Sequence, residues 1–339
     1  MSDAAQPIPA EFADALRDLQ LAATDEPLSG TPLTGGVSSD IWRIDTARGR
    51  VCAKRALPKL RVAADWRAPI SRNRYEARWM QVATEAVPGS TPRALGQHEG
   101  LGVLVMEYLD PDRHALWKQR LSQGEVDAAF ARSVGDTLAR IHSHAAARPR
   151  LATQFDTDAI FFDIRLEPYL LATAEKHPDL APALGELVVQ TQSHQVSLVH
   201  GDVSPKNILV GPYGQPLFLD AECAWWGDPA FDLAFCLNHL LLKCLWVPQV
   251  LSPLINSFDA LARAYLRRVD WEPAEALERR AAALLPGLLL ARVDGKSPVE
   301  YLTGEPQLRT VQRCASELLR QPVIRLAEVA AAWSWEVES

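Results

Sequence analysis

Between Leu198 and Glu222 the chain reads LVHGDVSPKNILVGPYGQPLFLDAE, an apolar stretch carrying residues that hold cations and move protons. Asp202, Asn207, Asp220 and Glu222 supply carboxylate and amide oxygens. A buried carboxylate is costly unless something pairs with it. Two arrangements would satisfy these groups. They cap turns between short strands, as Asp and Asn often do, or they receive a cation together with a charged ligand. Oxygen donors of this kind suit magnesium and phosphates. Asn207 follows Asp202 by five residues, and Asp220 closes the strand-like run QPLFLD.

The elements that must position these groups fall into two textures. Ile8 to Ala22 has apolar positions near helical spacing and is expected to form a leading helix. LSGTPLTGGVSSDIWRIDTARGRVCAKRAL reads as strand, Gly-Gly turn, strand, short turn, strand, with Lys54 at the end of the third. SRNRYEARWMQVATEAV reads as a helix and LGVLVMEYLD as a buried strand. After Leu109 helical patterns dominate: Glu125 to Ala146, Ile164 to Lys176, Leu180 to Ser193, and Pro229 to Trp333, punctuated by Pro248, Pro273, Pro286 and Pro306. The expected organisation is α+β, with a small β-rich lobe over 1–109 and a larger helical lobe over 110–339.

Composition narrows the class. The chain has 339 residues, 48% hydrophobic and 23% charged, with a formal net charge of -7. That balance argues against nucleic acid or an anionic membrane as partner. The N-terminus lacks the basic and apolar regions of a secretory signal, and the longest apolar runs are too short to span a membrane, so a cytoplasmic location is expected. Five cysteines without a CxxC pair read as reduced thiols. No HExxH-type spacing points to zinc. The oligomeric state stays open, a homodimer included.

HGDVSPKN followed by LDAE resembles the catalytic and metal-binding loops of the protein-kinase-like fold. More narrowly, the chain resembles the aminoglycoside phosphotransferase and choline kinase family of small-molecule kinases, in which HGD replaces HRD and Asp-x-Glu often replaces DFG. The resemblance runs from about Leu33 to Asp294. It implies a two-lobed kinase-like fold and ATP- and magnesium-dependent phosphorylation of a small-molecule hydroxyl. Asp202 would orient or deprotonate that hydroxyl. Asn207 and Asp220, with Glu222, would hold magnesium. Lys54, paired with Glu76, would grip ATP phosphates. Gly35, Gly36, Ser38 and Ser39 either cradle phosphates or form a plain hairpin turn. Glu107, Tyr108 and Leu109 would lie against the adenine. The alternative is a catalytically silent nucleotide-binding module on the same fold; the retained Asp202, Asn207, Asp220 and Lys54 argue against it. No APE segment follows Asp220, which argues against a protein substrate.

KRALPKLRVAADW, RNRYEA, LEPYL and LDAECAWWGDPAFDLAFCLNHLL are also similar to methylthioribose kinase. This chain departs from that family in carrying Asn207 where Ser is frequent. It also carries the single Arg292 where an arginine pair lies near the sugar. The acceptor these resemblances imply is a sugar or thiosugar, an aminoglycoside, or an amino alcohol. Trp225 and Trp226 either wall the substrate pocket, where an indole face would hold an amine, or pack between elements. His200 is expected to brace the loop, and Asp232 to bind its backbone. Lys206 either touches the transferred phosphate or is solvated.

Overall fold

The computed structural model describes residues 6–33, 39–59 and 69–339. A six-stranded antiparallel sheet dominates the N-terminal third. Its strands are β1 (Gln6–Pro7), β2 (Ser29–Pro32), β3 (Ser39–Thr46), β4 (Gly49–Ala56), β5 (Ala94–His98) and β6 (Val103–Glu107), in the order β1-β2-β3-β4-β6-β5. The leading helix α1 covers Ala10–Asp18, shorter than Ile8 to Ala22, and α2 covers Arg72–Ala86.

Strand alternation decides which face each side chain takes. On β6, Val103 and Val105 join Phe12 and Leu16 of α1 in one apolar cluster. Leu104 and Met106 join Trp79 and Met80 of α2 in the other. Lys54 on β4 is directly opposite Leu104, so it takes the α2 face of the sheet.

The remainder is mainly helical. It begins with β7 (Ala115–Leu116), α3 (Trp117–Ser122) and α4 (Ala128–Ala146), the last capped by the Asp127 carboxylate accepting the Ala129 N–H at 2.8 Å. Next come α5 (Asp158–Phe161), a π-helical stretch at Phe162–Leu171, α6 (Ala172–Lys176) and α7 (Ala181–Ser193). The π-helical stretch falls where an ordinary helix is expected; Pro168 lies inside it and supplies no N–H to the ladder. Two hairpin-like pairings then frame the HGD loop. β8 (Ser197–Val199) pairs with β11 (Trp225–Gly227), and β9 (Ile208–Val210) pairs with β10 (Pro216–Phe218) and β7.

Five helices complete the chain: α8 (Ala230–Trp246), α9 (Leu251–Leu266), α10 (Ala274–Asp294), α11 (Glu305–Arg320) and α12 (Leu326–Glu338). Pro248, Pro273 and Pro306 sit at helix starts, but Pro286 lies within α10. There it is buried beside Leu285 and Leu288, and packing on that scale offsets the roughly 3 kcal/mol cost of an interior proline. Helix α8 is buried on nearly all sides, as expected of a helix apolar around its circumference. Its N-terminus faces the HGD loop.

Candidate active site

The HGD loop is held from below by Asp232, in the first turn of α8. One carboxylate oxygen accepts the His200 N–H at 2.7 Å and the other accepts the Gly201 N–H at 2.8 Å. His142, also buried, bridges Asp232 and the Tyr265 hydroxyl at 3.2 and 2.6 Å. The imidazole of His200 accepts the Asp202 N–H at Nδ1, so its Nε2–H donates to the Leu219 carbonyl, each at 3.1 Å. Burial holds His200 below its ordinary pKa, which favours this neutral, bracing form. The Trp79 indole packs T-shaped against the imidazole, with ring centres 4.6 Å apart. Gly201 has φ of 79°, and a Cβ there would lie 2.6 Å from the Cys223 carbonyl oxygen; only glycine fits this turn.

Asp202 emerges from that loop into a cavity of about 500 Å³. Lys206 reaches its Oδ2 at 2.9 Å and Arg165 at 3.1 Å. Burial alone would raise the carboxyl pKa, but the two cations hold it below the usual range. The Asn207 amide nitrogen donates to the Asp202 carbonyl at 3.0 Å, which turns the side chain back along the loop. Asp220 has φ of 67°, a left-handed conformation that Asp tolerates better than most residues.

In the same cavity Lys54 is 2.8 Å from Glu76 and 3.9 Å from Glu222, and it contacts Asp220 directly. Burial works against the ammonium charge, but the three carboxylates keep its pKa well above the ordinary value. The same burial pushes Glu76 up to about 7, with Lys54 opposing. Asp220, paired with Lys54, is held strongly low despite its burial. Glu222 is fixed a second time by Arg72, whose Nε donates to it at 3.0 Å. Arg72 also donates to the carbonyls of Leu57 and Pro69 at 2.7 and 3.0 Å.

The structure thus brings Lys54, Glu76, Asp202, Asn207, Asp220 and Glu222 to one cavity, with Glu107, Tyr108, Leu109 and Arg292 also on its walls. The Glu107 carboxylate accepts the Arg93 N–H at 2.8 Å. Ser39 begins β3 with its hydroxyl buried and without a hydrogen-bond partner among the described residues. Gly35, Gly36 and Ser38 lie outside the described residues.

Trp225 and Trp226 are not brought to the cavity. Both are buried in β11; Trp225 stacks on Phe161 at 4.2 Å and donates to Asp158 at 2.5 Å. The strand pairing with β8 decides this, because it turns the backbone that follows the loop toward the helical core. Four of the five cysteines are buried and none forms a disulfide. His194, Asp228 and Glu272 come within 4.8 Å of one another, but Arg280 already bridges Asp228 and Glu272 at 2.7–3.0 Å.

Three site residues escaped the sequence reading. Arg72 lies four residues before Glu76, hence on the same helix face, and that spacing was a usable signal. Arg165 and Lys118 carry no such signal, since both reach the cavity through tertiary packing alone.

The oxygen-only donor set of Asp220, Glu222 and Asn207 fits a hard divalent cation rather than zinc. Lys54 already supplies one positive charge to Asp220. Together with Asp202 in the same cavity, the arrangement offers an anion-gripping cation, a metal-type oxygen cluster and an ionised carboxylate.

Comparison with known proteins gives a consistent picture. The phosphotransferase enzyme family model matches residues 29–277. A methylthioribose kinase of Yersinia pseudotuberculosis (serotype O:3, strain YPIII) is 28% identical over 237 residues, covering 62% of this chain and 57% of that relative. The chain thus spans little more than half of the relative's length. An amicoumacin kinase solved with AMP-PNP, Ca2+ and Ami superposes with a TM-score of 0.53 at 13% identity, covering 88% of this chain and 90% of that one. Ethanolamine kinase of Plasmodium vivax gives 0.51 at 14% identity, covering 92% and 82%. The likeness to these structures is one of fold.

Proposed function

From the premise that the chain belongs to the phosphotransferase enzyme family, we propose that it is a small-molecule kinase, moving the γ-phosphoryl group of ATP to a hydroxyl. The observation that carries this reading is the convergence of Lys54, Glu76, Asp220 and Glu222 in the cavity that Asp202 also lines.

Phosphoryl transfer needs positioning and charge neutralisation more than covalent help. Lys54, oriented by Glu76, binds the phosphates of the nucleotide. Asp220, Glu222 and Asn207 are the residues that would hold magnesium, which supplies charge neutralisation at the phosphate oxygens when bound. Glu107 to Leu109 border the base. Asp202, kept ionised by Lys206 and Arg165, orients the acceptor hydroxyl and receives its proton late. A carboxyl with a lowered pKa is a weak base but a firm hydrogen-bond acceptor, which suits a loose transition state. The nucleotide then lies between the 1–109 and 110–339 parts, proposed as two lobes of a cytoplasmic enzyme. Among the described residues no helix is long and apolar enough to cross a membrane.

The test is ADP release from Mg-ATP across a panel of sugars, thiosugars, hydroxy acids, aminoglycosides and amino alcohols, with Asp202→Asn alongside. Acceptor-dependent turnover that falls about 10²–10⁴-fold in the variant is the expected result. Nucleotide binding without turnover on any hydroxyl compound would instead support a silent binding module.

A further inference from the structure

We propose, building on the phosphotransferase reading, that the acceptor is an anionic alcohol whose carboxylate or phosphate group is received by Arg292, with Lys118 beside it.

Arg292 is in the last turn of α10, is 6% exposed, and lines the same cavity as Asp202. Among the described residues its hydrogen bonds all leave one nitrogen, Nη1. They run to the Tyr169 hydroxyl at 3.0 Å, to the Ser297 hydroxyl at 3.1 Å and to the Ser297 carbonyl. The buried Nε has no partner, and no carboxylate lies within ion-pair distance of Arg292 among the described residues. A buried guanidinium with neutral partners at a single nitrogen is poorly compensated. A planar two-oxygen anion is what its remaining donors are shaped to take.

The surroundings have the same sign. Arg165 and Arg292 approach the Tyr169 ring with guanidinium carbons 5.8 and 5.5 Å from its centre, which links the Arg292 end of the cavity to Asp202. Four cations on the cavity wall, Lys118, Arg165, Lys206 and Arg292, are met at this end by two carboxylates, Asp202 and Glu300. His239, buried next to this group with Nε2 unpartnered, has its pKa driven well down by burial and by Arg292, Lys243, Lys206 and Lys118. The remaining acids of the cavity wall, Glu76, Asp220 and Glu222, are already taken by Lys54 and Arg72, and Glu107 accepts the Arg93 N–H. A cationic aminoglycoside or amino alcohol would meet like charge at this end.

The experiment uses the full chain saturated with Mg-AMP-PNP and titrated calorimetrically with matched probes: glycerol, serinol, glycerate and glycerol 3-phosphate, then ribose, ribonate and ribose 5-phosphate. Turnover of each with Mg-ATP is followed in parallel. The expected result is that the anionic members of a set bind about tenfold or more tightly than the neutral and amino members. The carboxylate and phosphate arms show which anion is meant. Arg292→Met removes the preference. Lys118→Met, at a partly exposed position, weakens it, and Glu300→Gln, which frees Lys118, strengthens it. Preference for a neutral or amino member, no discrimination within either set, or an unchanged preference in all three variants overturns the inference while leaving the kinase reading intact. Failure to bind Mg-AMP-PNP overturns the kinase reading itself, and this inference with it.

Discussion

Asp232 holds the N–H of Gly201 at 2.8 Å on one carboxylate oxygen, and that of His200 at 2.7 Å on the other. The loop that presents Asp202 therefore hangs on one buried side chain of α8. Asp232→Asn keeps the shape but replaces one acceptor oxygen with a donor aimed at an N–H. We expect about 1.5–3 kcal/mol of lost stability, the range for hydrogen bonds to a charged group. Turnover should fall while Mg-AMP-PNP affinity is retained. Urea unfolding and steady-state kinetics measure both; an equal fall in nucleotide affinity would show that the loop is not the part that moves.

Arg72 and Glu222 form a buried pair that joins α2 to the segment after β10. Removing one member leaves the other only its weaker partners, a change that approaches the roughly 3–5 kcal/mol of a broken buried pair. Arg72→Met should therefore be markedly destabilising. Glu222→Gln in the Arg72→Met background should recover part of the loss. A double-mutant cycle by urea unfolding gives the coupling directly, and additive effects would mean that the two side chains do not sense each other.

Backbone conformation sets a third expectation. Gly201→Ala places a methyl group against the Cys223 carbonyl in a left-handed turn, and should cost about 3 kcal/mol or more. Asp220, also left-handed, behaves differently. Asp220→Asn tolerates the conformation and keeps the fold, loses the stability that the ion pair with Lys54 supplies, and loses magnesium-dependent nucleotide binding. Thermal unfolding with and without Mg-AMP-PNP separates these cases: the Asn variant should keep a cooperative transition at a lower temperature but lose its ligand-induced shift.

Lys243 yields a pH prediction. Burial pushes its pKa down from 10.5 to about 7, helped by Lys118 and Arg292 and opposed by Glu300. The unfolded chain therefore binds this proton more tightly than the folded one. The sign follows: the destabilisation is absent above pH 10.5 and grows as pH falls toward about 7, below which it stays constant. The slope from this group approaches about 1.4 kcal/mol per pH unit. Lys243→Met should flatten the profile over that window and raise stability at neutral pH. Parallel profiles for the two proteins, measured by urea unfolding from pH 6 to about 9.5, would remove the assignment.

What the sequence determined was local. The spacing from Asp202 to Asn207 lies within one loop, and Asp220 is fixed to it through the β9–β10 pairing. Lys54 takes its face by strand alternation, and Glu76 sits one helical turn beyond Arg72. Short-range periodicity decides such positions, so they were readable from residue order. The α+β texture was readable for the same reason, apart from the π-helical stretch around Pro168 and the uninterrupted α10 at Pro286, where packing outweighs local preference. Tertiary structure alone decided the partners. Arg165 reaches Asp202 from 37 positions away, and Arg72 reaches Glu222 across 150. Trp225 and Trp226 turn into the core because β11 pairs with β8. The positive charge around Arg292 belongs to the same class, since Lys118, Arg165, Lys206 and Arg292 come from four separate segments. Only the packed chain sums their fields in one low-dielectric space.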